Sequence, residues 1–318
     1  MKLRNSIGFA VCAALAGMLA AAACGGNGAA QPSPSVNVTA TRPEATQTPG
    51  TPSAQPAQVQ VALAASDFGV GVNRIPFGII ELGVGPVRDG EVWVSSYYLL
   101  GNTQEGPIDT VEAEFRTWPA GPGGVFVASL NFDRPGDWGI GVTVSENGNT
   151  TKIGSVRVQV NPTSFSPGIG TQAPASENKT AADVGGLEEL TTDPNPDPAL
   201  YEMTIAEALQ AGRPLLVVFA TPAYCQTATC GPQVDVVKHV KERHGDEMNF
   251  IHIEVYDNPL EIQGDLSRAR VSPILTEWNL PSEPWTFVMD ADGTIRAKFE
   301  GFATEAEIEE ALQNVLGS

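Results

Sequence analysis

Two hydrophobic periodicities divide the chain. Between residues 59 and 160 apolar and polar positions alternate in short runs: Val59-Gln60-Val61-Ala62-Leu63, Glu91-Val92-Trp93-Val94-Ser95, Val125-Phe126-Val127-Ala128-Ser129-Leu130 and Val156-Arg157-Val158-Gln159-Val160. A period of two belongs to a half-buried strand. Turn residues separate the runs at even spacing: Gly83 to Gly90, Pro119 to Gly124, Pro135-Gly136 and Asn147-Gly148-Asn149. Short strands with regular turns predict an all-β domain, a β-sandwich, over 59–160.

From residue 199 the period changes. Thr204 followed by Glu207 predicts a capping box, opening a helix that Gly212 stops. Pro214 to Ala220 is continuously apolar, as in a strand buried on both faces. Pro232 to His244 reads as a helix, with proline in its first turn and Gly245 behind it. Strands follow at Asn249 to Tyr256 and Trp285 to Met289. Asp290-Ala291-Asp292-Gly293 turns the second into Thr294 to Phe299. Thr304 and Glu307 form a second capping box ahead of a last helix ending at Leu316. Residues 199–318 are therefore an α/β domain, and the chain is multidomain.

Two stretches lack either period. Residues 24–58 are rich in Pro, Thr, Ser, Ala, Gln and Gly and bury too little apolar surface to offset chain entropy, so they read as a disordered tether. Residues 161–198 contain Pro162, Pro167, Pro174, Pro194, Pro196 and Pro198 and read as a linker. Within it Asp193, Asn195 and Asp197 alternate like the start of a calcium loop. Pro198 stands where that loop needs glycine and Thr204 where it needs glutamate, so a stiff acidic turn is the better reading.

The amino end has the layout of an export signal over residues 1–23: basic Lys2 and Arg4, an uncharged apolar run from Ile7 to Ala23, then Cys24. Ala21-Ala22-Ala23-Cys24 resembles a bacterial lipoprotein signal, which implies acylation of Cys24 and attachment to the cell membrane. It departs from that pattern in carrying Ala21 where leucine is usual. Cleavage at an Ala-x-Ala site, giving a secreted protein, is the other reading. Removing 1–23 takes the formal charge from −19 to −21. That charge excludes a sequence-independent grip on nucleic acid and electrostatic docking on anionic lipid. The β domain contains no His, Cys or Met, the usual soft metal ligands, and no metal is expected there. Phe132 to Trp138, a turn leading into a tryptophan, resembles the late strands of bacterial Ig-like domains.

With Cys24 acylated, Cys225 and Cys230 are the remaining thiols, in an oxidising compartment. They follow the apolar strand as Phe219-Ala-Thr-Pro-Ala-Tyr224-Cys225-Gln-Thr-Ala-Thr-Cys230-Gly-Pro-Gln233. With Ser282-Glu283-Pro284-Trp285 before a later strand and Gly301 before the last helix, this resembles the thioredoxin superfamily over about 199–318. The resemblance implies a Cys225–Cys230 disulfide, Pro284 as the cis-proline facing it, Tyr224, Glu283 and Trp285 as candidate substrate contacts, and no cofactor. It implies thiol–disulfide exchange on extracytoplasmic thiol or disulfide proteins.

Two departures qualify the resemblance. The spacing is Cys-x-x-x-x-Cys rather than Cys-x-x-Cys. Counting from the strand end favours Cys225 as the attacking sulfur, whereas Cys230-Gly-Pro favours Cys230; the reading adopted is Cys225. Val218 stands where many thioredoxins bury an aspartate, leaving Glu283 as substitute or as a solvated loop residue. Thr221-Pro222 ahead of Cys225 also resembles a peroxiredoxin loop, with the threonine out of register by one. His239, His244 and His252 do not fall where a copper chaperone of this superfamily would need them. Trp278 and Trp285 read equally well as a rim for peptide or as core. The alternative to an enzyme is a binding lipoprotein whose disulfide is structural, although so short a loop restrains little chain entropy.

Overall fold

The structure is a computed structural model that describes residues 56–118, 123–225 and 229–317. The export signal, the tether to residue 55 and Cys24 lie outside the described residues. Residues 53–318 form one compact unit. Among the described residues no helix is long and apolar enough to cross a membrane.

Eight strands build the first body: β1 (Ala57–Leu63), β2 (Gly71–Glu81), β3 (Gly85–Val87), β4 (Glu91–Leu100), β5 (Thr103–Thr117), β6 (Gly124–Phe132), β7 (Gly136–Glu146) and β8 (Asn149–Val160). The all-β expectation holds, but in place of the expected Ig-like sandwich the strand pairing closes the sheet into a barrel. The ring runs β1-β8-β7-β4-β5-β6-β2 and returns to β1, with β3 as a short addition to β2. Two strands change partners along their length. β1 pairs in parallel with β8 at Ala57 and Gln58, then antiparallel with β2 from Val59. β5 pairs with β4 up to Ala113 and with β6 from Glu114. A flattened barrel and a sandwich share one inward-facing alternation; they differ only in whether edge groups find partners. The interior is a single core. Trp138 is fully buried at its centre, 4.9 Å from the Phe132 ring, and its Nε1 donates to the Arg134 carbonyl at 3.1 Å. That hydrogen bond lets an indole enter the core without an orphan donor.

The second body contains α1 (Ile205–Gln210), β9 (Leu215–Ala220), α2 (Cys230–His244), β10 (Asn249–Glu254), the short α3 (Pro259–Ile262) and α4 (Pro273–Glu277), β11 (Trp285–Met289), β12 (Ile295–Glu300) and α5 (Glu305–Leu316). The sheet order is β10-β9-β11-β12, with β10 parallel and β11 antiparallel to the central β9. Every residue of β9 is buried, so its continuous apolar run has helices to cover both faces. Both capping boxes form, at Thr204/Glu207 and Thr304/Glu307. Residues 161–198 run along this body rather than away from it. Ala173 N–H donates to Gly293 O, Trp278 Nε1 to Ser176 Oγ, and Ile205 N–H to Asn178 Oδ1.

The two bodies are joined by buried polar contacts. Glu300, at the end of β12, accepts from Ser66 N and Oγ, Asp67 N and Ser282 Oγ at 2.7–3.0 Å. Arg74 pairs with Glu307 at 2.8 Å and donates to the Glu300 and Phe302 carbonyls. Gly301 takes a φ of +75°, its N–H donates to Pro284 O at 2.9 Å, and a Cβ there would lie 3.0 Å from Ala64 O. Gly301→Ala is therefore expected to cost about 1–2 kcal/mol through left-handed strain and the close carbonyl. A thermal midpoint equal to the parent's would contradict this account of the junction.

Candidate functional site

The sheet register places the proline loop beside the cysteine loop. β11 runs antiparallel to β9 with Trp285 opposite Phe219, so Pro284 falls at the carboxyl end of β9, where the chain leaves for Cys225. The Glu283–Pro284 peptide bond is cis. A turn from Thr221 to Tyr224 then delivers Cys225. Tyr224 props that turn: its hydroxyl accepts the Gly264 N–H at 3.1 Å, and its ring lies edge-on to Tyr256.

Cys225 and Cys230 form a disulfide with their Cα atoms 5.8 Å apart, within the ordinary span for such a bond. The two sulfurs have unlike surroundings. Cys230 is the first residue of α2 and is fully buried in the core, whereas Cys225 is only partly buried. The Cys230 backbone N–H points at Cys225 Sγ from 3.3 Å. A helix amino end and a direct N–H donor both stabilise a thiolate, and here they act on the sulfur of the less buried cysteine. The two cysteines thus differ in burial and in the helix groups that face them. Pro232 fits the first turn of α2 because its missing N–H would have no helical partner. Gln233 is fully buried and accepts the Ala303 N–H at 2.7 Å, tying α2 to the chain before α5.

Val218 is fully buried in β9, so no carboxyl occupies that position. A carboxyl that sequence reading missed lies one strand away. Glu254 ends β10 opposite Ala220 and is buried. It accepts the Thr192 N–H and hydroxyl at 2.8 Å each and the Val255 N–H at 3.0 Å. Thr192 Oγ1 in turn accepts the Ala223 N–H at 3.0 Å, two residues before Cys225. Burial pushes the Glu254 carboxyl up to about 7 against the opposing pull of Thr221 and Thr192. The available signal was His252 and Glu254 alternating with the apolar Ile251 and Ile253 of that strand.

His252 is a core residue. Its Nε2 lies 3.1 Å from the Ala220 carbonyl, which can only accept, so Nε2 carries the proton and Nδ1 accepts from the Tyr201 hydroxyl at 2.7 Å. Burial holds this imidazole down at about 4. His244 instead meets Glu247 and Glu309 at the surface, which raise it above its ordinary value. Trp278 and Trp285 are both core: Trp285 is stacked 5.7 Å from Phe287, and its Nε1 donates to Ser282 Oγ at 3.1 Å. Being buried, Trp285 offers no surface to a substrate. Glu283 is half-buried, and burial raises its carboxyl. No described residue forms a hydrogen bond or ion pair with it.

Residues 201–316 match the thioredoxin-like domain family. No curated protein matches the chain. Among solved structures, a thiol:disulfide interchange protein of the thioredoxin family from Chlorobium tepidum TLS is 17% identical, over 36% of this chain and 86% of that one, with a TM-score of 0.29. An engineered protein is 16% identical over 34% of this chain and 20% of its own length, with a TM-score of 0.20. The carboxyl-terminal body is thus a thioredoxin-like domain with a disulfide-bonded cysteine pair.

Proposed function

We propose that this protein is an exported, lipid-anchored thiol–disulfide oxidoreductase acting on extracytoplasmic proteins. One observation carries the reading: a partly exposed Cys225 sulfur, faced by the first N–H of α2, is bonded to a buried Cys230 at the sheet end shared with cis-Pro284. In the reducing direction the Cys225 thiolate attacks a substrate disulfide. A Cys225–substrate disulfide forms and the substrate's other sulfur leaves as thiolate. The Cys230 thiolate then attacks Cys225 Sγ, forming the internal disulfide and releasing the second substrate thiolate. The substrate gains two electrons, the protein loses two, and an external dithiol must restore them. The oxidising direction is the reverse. Acylation of Cys24 would hold the chain at the cell membrane, with the stretch expected as tether over 24–58 ending where β1 begins at Ala57.

The deciding measurement is the reduction potential of the pair in the full exported chain, equilibrated with dithiothreitol or glutathione and quantified by thiol mass labelling. The expected value lies between about −270 and −120 mV, the span of exchange catalysts, and a value below about −300 mV would identify a structural bridge.

A further inference from the structure

A cavity of about 490 Å³ opens between the two bodies. Thr229, which precedes Cys230, and Glu283, which precedes Pro284, line it from the thioredoxin-like side. Leu63, Trp118 and Val125 line it from the barrel, and Phe302 closes the wall. Its size lies within the roughly 300–1,000 Å³ range of ligand sites. The walls are mainly apolar, and no basic side chain is among the lining residues. Two carboxylates face it. Glu300 is consumed by four hydrogen bonds, three of them across the junction. Glu283 is half-buried and receives no hydrogen bond or ion pair from any described residue. An apolar groove whose rim holds one carboxylate unpaired by any described residue is complementary to an apolar segment that brings a cation.

We infer that this groove is the substrate-recognition site, and that it takes an extended polypeptide whose reactive cysteine is flanked by an apolar side chain, seated against Trp118 and Leu63, and by a lysine or arginine that pairs with Glu283. The inference rests on the exchange reading above and assigns the barrel a role in it. The barrel supplies the apolar wall, so selectivity is built from both bodies, and the polar junction at Glu300, Arg74 and Gly301 fixes that wall relative to Cys225.

The test uses the full exported chain and two readouts. In the first, the reduced protein reacts with peptides containing Leu-Cys-Lys, Leu-Cys-Glu or Gly-Cys-Gly, each cysteine blocked as its mixed disulfide with mercaptoethanol; hydroxyethyl disulfide serves as the featureless substrate. The Leu-Cys-Lys peptide should react at least about fivefold faster than the others. Trp118→Ala should erase the preference for leucine, and Glu283→Lys should turn the preference towards Leu-Cys-Glu. Each variant's peptide rates are read as ratios to its own rate on hydroxyethyl disulfide, so that a general change in thiol reactivity cancels. In the second readout, a Leu-Ser-Lys analogue is titrated against the oxidised protein, where its binding should weaken about fivefold in each variant. Unchanged selectivity and binding in Glu283→Lys would overturn the inference. Failure of the parent to exchange hydroxyethyl disulfide would instead remove the redox reading, while the titration still decides the groove. Equal binding of glutathione and peptide would also overturn it, because glutathione is anionic and lacks the apolar anchor.

Discussion

Cys225→Ser is expected to lower the exchange rate by at least about a thousandfold, as loss of a nucleophile generally does. Cys230→Ser should instead leave the first attack intact and halt the reaction at a Cys225-linked mixed disulfide. The asymmetry follows from access and from the helix. A disulfide sulfur must be approached along its S–S axis by a thiolate, and Cys230, fully buried at the start of α2, offers no such path. Cys225 is reachable, and the Cys230 N–H donates to its sulfur. In the reduced parent, alkylation at limiting reagent should therefore modify Cys225 first. Peptide mass mapping of alkylated and trapped species checks both statements. Faster alkylation of Cys230, with adducts accumulating only in Cys225→Ser, would reverse the assignment.

The features legible in the sequence were those with a local cause. A capping box needs only Thr304 and Glu307 three positions apart. A strand buried on both faces needs only an unbroken apolar run such as Leu215–Ala220. The cysteine pair and Pro284 were visible because short motifs carry them. Closure of the barrel was not, because it depends on β1 and β5 each exchanging one partner for another, and the same alternation serves either arrangement. The Pro-rich stretch 161–198 looked like a spacer because its hold on the second body comes largely from backbone groups and from small polar side chains such as Ser176 and Asn178. Trp285 could not be assigned to rim or core without the Phe287 ring beneath it. Glu254 escaped notice because the partners that admit it, Thr192 and Val255, include a residue sixty-two positions away.

Between about pH 4.5 and 6.5 the stability of the oxidised protein should depend little on His252 and Glu254 together and strongly on either alone. The two sit two residues apart on β10, on one face, and burial acts on them in opposite senses. His252 is lowered from an ordinary 6.5 to about 4. Its stabilisation is present above 6.5 and is lost as pH falls through 4. Glu254 is raised from 4.5 to about 7. Its stabilisation is present below 4.5 and is lost as pH rises through 7. Near pH 5.5 the folded chain holds one proton on Glu254 and the unfolded chain holds one on the histidine, so folding exchanges no net proton at this pair. Each shift alone corresponds to about 3 kcal/mol. Glu254→Gln should therefore expose the histidine, with stability rising by about 3 kcal/mol from pH 4 to 6.5 relative to the parent. His252→Gln, whose amide can donate to Ala220 O and accept from Tyr201, should expose the carboxyl as a fall of similar size between pH 4.5 and 7. Urea midpoints across that range decide the matter, since the other titrating groups are common to all three proteins. Parallel curves for parent and Glu254→Gln would mean that the carboxyl ionises as freely folded as unfolded. If the compensation holds, the cysteine loop rests, through Thr192 and Ala223, on a buried pair that keeps the fold indifferent to mild acidification.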